Sequence, residues 1–149
     1  MLLELILASG SPTRTSLLNN VGVKHKVIPA GVDESLIKER CKDKGINAGL
    51  TAIKLAEAKA LTISSSYKSS LVLGADQMLE CDGVWLSKSG NLSDAREVLK
   101  FLRGKTHTLS SGIAIAENSQ VIWTYVEEAK INMRHFSDEF IDLLPKKEK

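Results

Sequence analysis

At 149 residues the chain has the length of one domain, and 43% hydrophobic against 26% charged residues excludes wholesale disorder. A formal charge of +2 is too small to announce nucleic acid or an anionic membrane as a partner. Cys41 and Cys81 form no CxxC pair, and the apolar start LLELILA is too short for a membrane span and carries no basic flank, so a reducing, cytoplasmic setting is expected.

Leu5 to Ala8 is a short apolar run suited to a buried strand, and Ser9-Gly10-Ser11-Pro12 breaks it. Ser11 can cap a helix with Pro12 at its first position, where a missing N–H costs nothing. Leu17, Leu18 and Val21 supply the apolar side of that helix, and Gly22 ends it. Lys26 to Ala30 reads as a second strand, followed by an acidic loop, GVDES.

Residues 47 to 64 read as a helix, with Leu50, Ile53, Ala56 and Ala60 at helical intervals. The polar TISSSYKSS is a loop, and Leu71 to Ala75 is the clearest buried strand. Asp82-Gly83 marks a tight hairpin turn. Ser93 caps a helix running through Leu102, with Ala95, Val98, Leu99 and Leu102 as its stripe and Gly104 as its stop. Thr108 to Glu117 and Gln120 to Ile131 alternate around Asn118-Ser119 as two hairpin strands, and Ser137 caps a last short helix. The order of elements indicates an α/β domain on a mixed sheet.

The chemistry gathers at loops. A strand, small residues and a helix N-terminus offer backbone N–H groups to an anion, with Ser9 and Ser11 adding hydroxyls and Arg14 a guanidinium. The plainer alternative is a well-capped turn with a surface arginine. Asp33, Glu34 and Asp76 follow strands, where carboxylates can hold a hard cation or can simply begin turns. Lys59 and Lys88 taken singly are ordinary solvated lysines; together with the elbow and the carboxylates they form a set of parts for metal-assisted phosphoryl chemistry. His25, His107 and His135 lack metal-ligand spacing and suit structural roles. Ser110-Ser111 lacks a GxSxG setting, which speaks against a serine hydrolase. Trp85 and Trp123 are expected to pack on the sheet, and the terminal KKEK is a solubilising tail.

LASGSPTRTSLL, VDES, LAEAKA, GADQ, LSKS and FLRGKTHTLSSG stand here in the order found in Maf proteins, and the resemblance runs from about Leu5 to Leu144. It implies a mixed sheet flanked by helices, of the Maf/ITPase-like nucleotide pyrophosphatase architecture. It implies hydrolysis of nucleoside triphosphates to monophosphate and pyrophosphate with a divalent metal, Mg or Mn. Asp76 would then be the proton acceptor, Glu34 and Asp76 the metal carboxylates, and Ser9, Ser11, Arg14, Lys59 and Lys88 the triphosphate holders. Thr13, where the family often has a second arginine, and Gln77 correspond to positions associated with substrate choice. Thr13, VDES and GADQ are similar to the subgroup acting on 7-methyl-GTP rather than on dTTP and UTP. Ser89 replaces a usual proline. The family continues beyond Lys149, so one domain spanning residues 1–149, incomplete at its C-terminus, is expected. The expected partners are the nucleotide and a second copy of the chain, with no nucleic acid and no membrane. The rival reading is a shortened, non-catalytic relative that binds nucleotide as a regulator in cell division.

Overall fold

The computed structural model describes residues 3–87 and 91–143. Lys88 and Ser89, and the KKEK tail, lie outside the described residues. The elements run β1 (Leu5–Leu7), α1 (Pro12–Asn20), β2 (Lys26–Val27), α2 (Glu34–Asp43), α3 (Ala48–Ser64), β3 (Leu71–Cys81), β4 (Val84–Leu86), α4 (Leu92–Leu102), β5 (Thr106–Glu117), β6 (Gln120–Asn132) and α5 (Asp138–Asp142). The sheet has the order β2-β1-β3-β5-β6, with β4 also paired to β3. β1 runs parallel to β2 and β3, while β4 is antiparallel to β3, so the sheet is mixed as the sequence predicts.

Two compact units divide the chain, residues 1–77 with 110–127 and residues 78–109 with 128–149. The first holds a core of Ile6, Ala8, Ala60, Ile63, Val72 and Ala116, with Ile28, Ala30 and Leu61 packed against it. Helix α3 owes its place to small residues. Ala48, Gly49, Ala52, Ala56 and Ala60 form much of its buried face, and glycines answer them in the strands beneath. A Cβ on Gly74 would lie 2.9 Å from the Ala60 nitrogen and closer still to the Ala56 carbonyl; one on Gly112 would lie 2.6 Å from the Ala52 carbonyl carbon. The helix backbone therefore rests directly on β3 and β5, as glycine in a strand interior often signals. The turn joining β5 to β6, with φ of 51° at Asn118 and 63° at Ser119, has the left-handed pair that matches strand twist. Its Ser119 N–H donates to the buried Ser64 Oγ at 2.9 Å.

In the second unit, Asn91 caps α4 through its side chain, 2.8 Å from the Asp94 N–H, and Ser137 caps α5 at 3.1 Å from the Phe140 N–H. Arg96 pairs with Asp142 and Arg103 with Asp138, tying α4 to α5 over the buried Ile141. Lys105 stacks 3.9 Å over the Phe101 ring and reaches Asp82 at 3.5 Å. Cys41 and Cys81 are both free and buried. Burial, then the Asp82 carboxylate, pushes the Cys81 thiol up against a smaller opposite pull from Lys105, which leaves it an inert thiol.

Several expectations are corrected. GVDES is no loop throughout: Asp33 caps α2 by accepting from the Leu36 N–H at 3.0 Å, and Glu34 is the first helical residue. That helix escapes a search for apolar stripes because Cys41 is its one buried residue. β2 stops at Val27 rather than Ala30; the Ile28 N–H still reaches Leu7 O at 3.0 Å, but Pro29 has no N–H to continue the ladder. β3 passes through Asp76 to Cys81 rather than ending there. Asn91 replaces Ser93 as the cap of α4, β5 starts at Thr106, and β6 extends to Asn132. Leu17 is 61% exposed, Val21 is exposed too, and α1 buries no residue. Leu50 is likewise exposed, since α3 turns its alanine face inward instead. Trp123 does not pack on the sheet: it is 48% exposed and stacks on Tyr125 at 6.0 Å. Trp85 is half-buried and donates to Glu80 at 3.2 Å.

Candidate active site

Two segments of the first unit leave the carboxyl ends of β1 and β2 beside the Gly74–Asp76 stretch of β3, and the carboxyl ends of parallel strands are where open α/β sheets gather ligand sites. Leu7 pairs with Leu73, and the Ala8 N–H donates to Leu73 O at 2.9 Å. The elbow after β1 therefore departs one strand spacing from Gly74–Asp76, about 4.8 Å away. Leu7 also pairs with Val27, so the segment after β2, which leads to Asp33 and Glu34, departs beside the same elbow. Gly10 lies against Pro29 of that segment: a Cβ on it would meet the Pro29 ring at 3.8 Å.

The elbow is internally organised. Ser9, 5% exposed, accepts at its Oγ from the Ser11 N–H and from Arg14 Nη1, both at 3.1 Å. Ser11 Oγ accepts from the Arg14 N–H at 3.4 Å and caps α1, with Pro12 behind it. The guanidinium is thus folded back over the helix N-terminus with its other donors uncommitted to Ser9, an arrangement suited to an oxyanion. Thr13 is exposed on the first turn of α1.

The close seat of α3 on Gly74 has a direct consequence for the neighbouring side chains. Lys59 precedes Ala60, which touches Gly74, and Asp76 lies two residues beyond Gly74 on the same face of β3. Lys59 Nζ meets Asp76 Oδ2 at 2.9 Å and Glu34 Oε2 at 3.4 Å. Lys59 and Asp76 are each 8% exposed, a degree of burial that charged residues reach only when paired. Asp76 Oδ1 accepts from the Gln77 N–H at 2.7 Å. Oδ2 is buried, and its approach to Lys59 is an ion pair without the angles of a hydrogen bond.

Of the residues singled out in the sequence, Ser9, Ser11 and Arg14 form one cluster and Glu34, Lys59 and Asp76 another. Gln77 points to the opposite face of β3 from Asp76, and its amide donates to Ser111 Oγ at 3.2 Å. Lys88 lies outside the described residues. Sequence reading missed Gly74 and Gly112, whose signal is an isolated glycine inside each strand; Asp33, weighed there as a cation ligand or the start of a turn, is the cap that fixes where Glu34 begins its helix. Among the described residues no three His, Cys, Asp or Glu side chains form a metal cluster, and no helix is long and apolar enough to cross a membrane.

The profile of the Maf-like protein family matches residues 4–149. A nucleoside triphosphate pyrophosphatase of Granulibacter bethesdensis is 39% identical over 140 residues, which cover 94% of this chain and 71% of that protein. One of the same name from Rhodospirillum rubrum is 40% identical, covering 92% and 68%. A 7-methyl-GTP pyrophosphatase of Rhizobium meliloti is 36% identical, covering 93% and 69%. Among solved structures, a nucleoside-triphosphatase, dITP/XTP pyrophosphatase, of Mycobacterium abscessus shares the fold at TM-score 0.52 and 16% identity, covering 86% of this chain and 72% of that one. With nearly its whole described length matched by the profile and by relatives near 40% identity, the chain belongs to the Maf-like protein family.

Proposed function

We propose that this chain hydrolyses nucleoside triphosphates at the α–β anhydride bond, consuming one water and releasing nucleoside monophosphate and pyrophosphate. The observation that carries the reading is Lys59, buried between Glu34 and Asp76 beside a serine-lined helix N-terminus. The names of the relatives agree with it. In this reading Ser9, Ser11 and Arg14 bind the triphosphate, because hydroxyls, helix N–H groups and a guanidinium all favour oxyanions. Lys59 and Lys88 neutralise charge that builds on the departing pyrophosphate. Asp76 accepts the proton of the attacking water.

The donor set fits a hard divalent cation, Mg or Mn. Glu34 Oε2 and Asp76 Oδ2 are both carboxylate oxygens and both address the same point. Such a cation takes one or two protein carboxylates and fills its remaining positions with phosphate oxygens and water. Bound there, it would polarise the phosphoryl group and acidify water. The role of the chain's own residues is to hold those oxygens, exclude bulk water from Asp76 and orient the triphosphate.

Thr13 and Gln77 are the residues to which we assign base choice, with 7-methyl-GTP the favoured substrate on the name carried by the Rhizobium relative. The setting is cytoplasmic, where Cys41 and Cys81 stay reduced. Pyrophosphate release from a panel of triphosphates, 7-methyl-GTP, dTTP and UTP included, with Mg²⁺ or Mn²⁺, tests the reading. Asp76→Asn should lower turnover by about 10²–10⁴-fold while triphosphate binding persists. Triphosphate binding with no pyrophosphate release under any metal would instead favour the non-catalytic, regulatory reading.

A further inference from the structure

We propose that the Lys59 ammonium is a resident stand-in for the cation at Glu34 and Asp76, and that it leaves for a phosphate oxygen when metal and triphosphate enter together. The inference rests on the reading of this site as a metal-dependent triphosphate site, and it assigns the order in which that site fills. Lys59 Nζ lies 2.9 Å from one carboxylate and 3.4 Å from the other, so both oxygens address a single positive charge. With a carboxylate oxygen of each residue within 3.4 Å of it, the ammonium offsets the repulsion between them. Asp76 Oδ1 is already held by the Gln77 N–H, which leaves Oδ2 to face the ammonium. That oxygen is buried and makes no hydrogen bond, so the ion pair with Lys59 is what faces it.

A divalent ion seated on these oxygens must displace Nζ, and the flexible four-carbon stem of lysine lets the head group swing without moving α3. Metal alone gains the carboxylates but strands a buried ammonium. Metal with triphosphate offers that ammonium a new anion. The cation therefore binds weakly by itself and tightly with its substrate, and the site holds no activated water until there is an anhydride to cleave.

Mn²⁺ titration without nucleotide, with free Mn²⁺ read by electron paramagnetic resonance, tests this on wild type, Lys59→Met and Lys59→Arg. Lys59→Met should bind Mn²⁺ at least about tenfold more tightly, the scale on which groups bordering a metal change its affinity. Lys59→Arg keeps the charge and should stay as weak as wild type. Folded Lys59→Met that binds Mn²⁺ no more tightly overturns the proposal. Should Lys59→Met fail to fold, wild type decides by mass spectrometry. Acetylation of Lys59, slow in metal-free protein, should accelerate at saturating Mn²⁺ relative to the exposed lysines, and an unchanged ratio overturns the proposal. Pyrophosphate release by wild type together with unchanged Mn²⁺ affinity in Lys59→Met would sink the stand-in and spare the reaction. Tightened Mn²⁺ binding in Lys59→Met together with no release by wild type from any triphosphate would do the reverse.

Discussion

In the first unit Lys59 and Asp76 meet with each side chain 10% exposed, whereas in the second Arg103 and Asp138 meet at 31% and 60% exposure. Both set a basic side chain against an aspartate, yet they differ in what holds them together. The buried pair exists because an alanine-rich helix rests on Gly74 and carries Lys59 into place. The exposed pair ties one helix to another, and water can replace either partner. Taking charges out of water costs free energy that a stable fold need not spend, so the buried cluster is the one to examine for chemistry.

The largest contrast should come from removing one cation in each unit. Lys59→Met leaves the buried Asp76 carboxylate without its cation, while the half-exposed Glu34 can turn to water, and should cost about 3 kcal/mol in urea melts. Arg103→Met, which loses an exposed pair, should shift the midpoint far less. Comparable losses from the two variants would erase the distinction between a buried functional cluster and a surface tie.

The next effect tests why α3 sits where it does. Gly74→Ala places a methyl into the Ala56 and Ala60 backbone, which cannot rotate away, and should cost about 1–3 kcal/mol or more. It should also weaken triphosphate hydrolysis, because raising α3 withdraws Lys59 from Asp76. Gly31→Ala, with nothing within 4 Å of its Cβ position, should change stability by less than about 0.5 kcal/mol. A neutral Gly74→Ala would mean that the helix does not depend on that close approach.

What was legible in the sequence follows the same division. The elbow was readable because Ser11 and Pro12 carry a local signal for a helix start, and the structure has Ser11 as the cap. Both two-residue turns were readable for the same reason, with positive φ at Asp82 and Asn118. Helix α2 was not, because its stabilisation comes from the Asp33 cap and packing near Cys41 rather than from a periodic stripe. Burial on α1 was misread since Leu17 and Val21 satisfy a helical pattern that nothing covers among the described residues. Position after strands pointed to Glu34 and Asp76, and the family resemblance added Lys59; only the tertiary contact of α3 with Gly74 explains how one lysine reaches both carboxylates.

A smaller effect concerns the elbow. Arg14→Ala should weaken triphosphate binding by about tenfold or more while leaving binding of the bare nucleoside unchanged, since a guanidinium recognises phosphate oxygens and not bases. Isothermal titration with both ligands separates the cases. Equal losses for triphosphate and nucleoside would reduce Arg14 to a brace for Ser9, the one hydrogen bond its Nη1 makes there.

The smallest effect belongs to the exposed pair of the second unit and has a definite sign. The hydrogen bond from Arg103, then the attraction of its charge, holds the Asp138 carboxyl below its ordinary value of 3.8. A carboxylate whose folded pKa is depressed contributes stability above the unfolded value, and loses that contribution as pH falls through the folded one. Arg103 also donates to the Phe136 carbonyl at 3.1 Å, so the region at stake is the start of α5, where Phe136 and Phe140 pack at 5.8 Å. Hydrogen exchange of the α5 amides should be slower in wild type than in Asp138→Asn at pH 5, and the difference should close as the pH approaches 2. Asp138→Asn removes the titrating group but keeps an oxygen for Arg103, so its own exchange, corrected for intrinsic rates, should lack that pH-dependent component. No gap at pH 5 would assign the holding of α5 to the Ser137 cap and the Phe136–Phe140 contact instead of the ion pair. In that case the contrast with the buried Lys59 cluster would become sharper still.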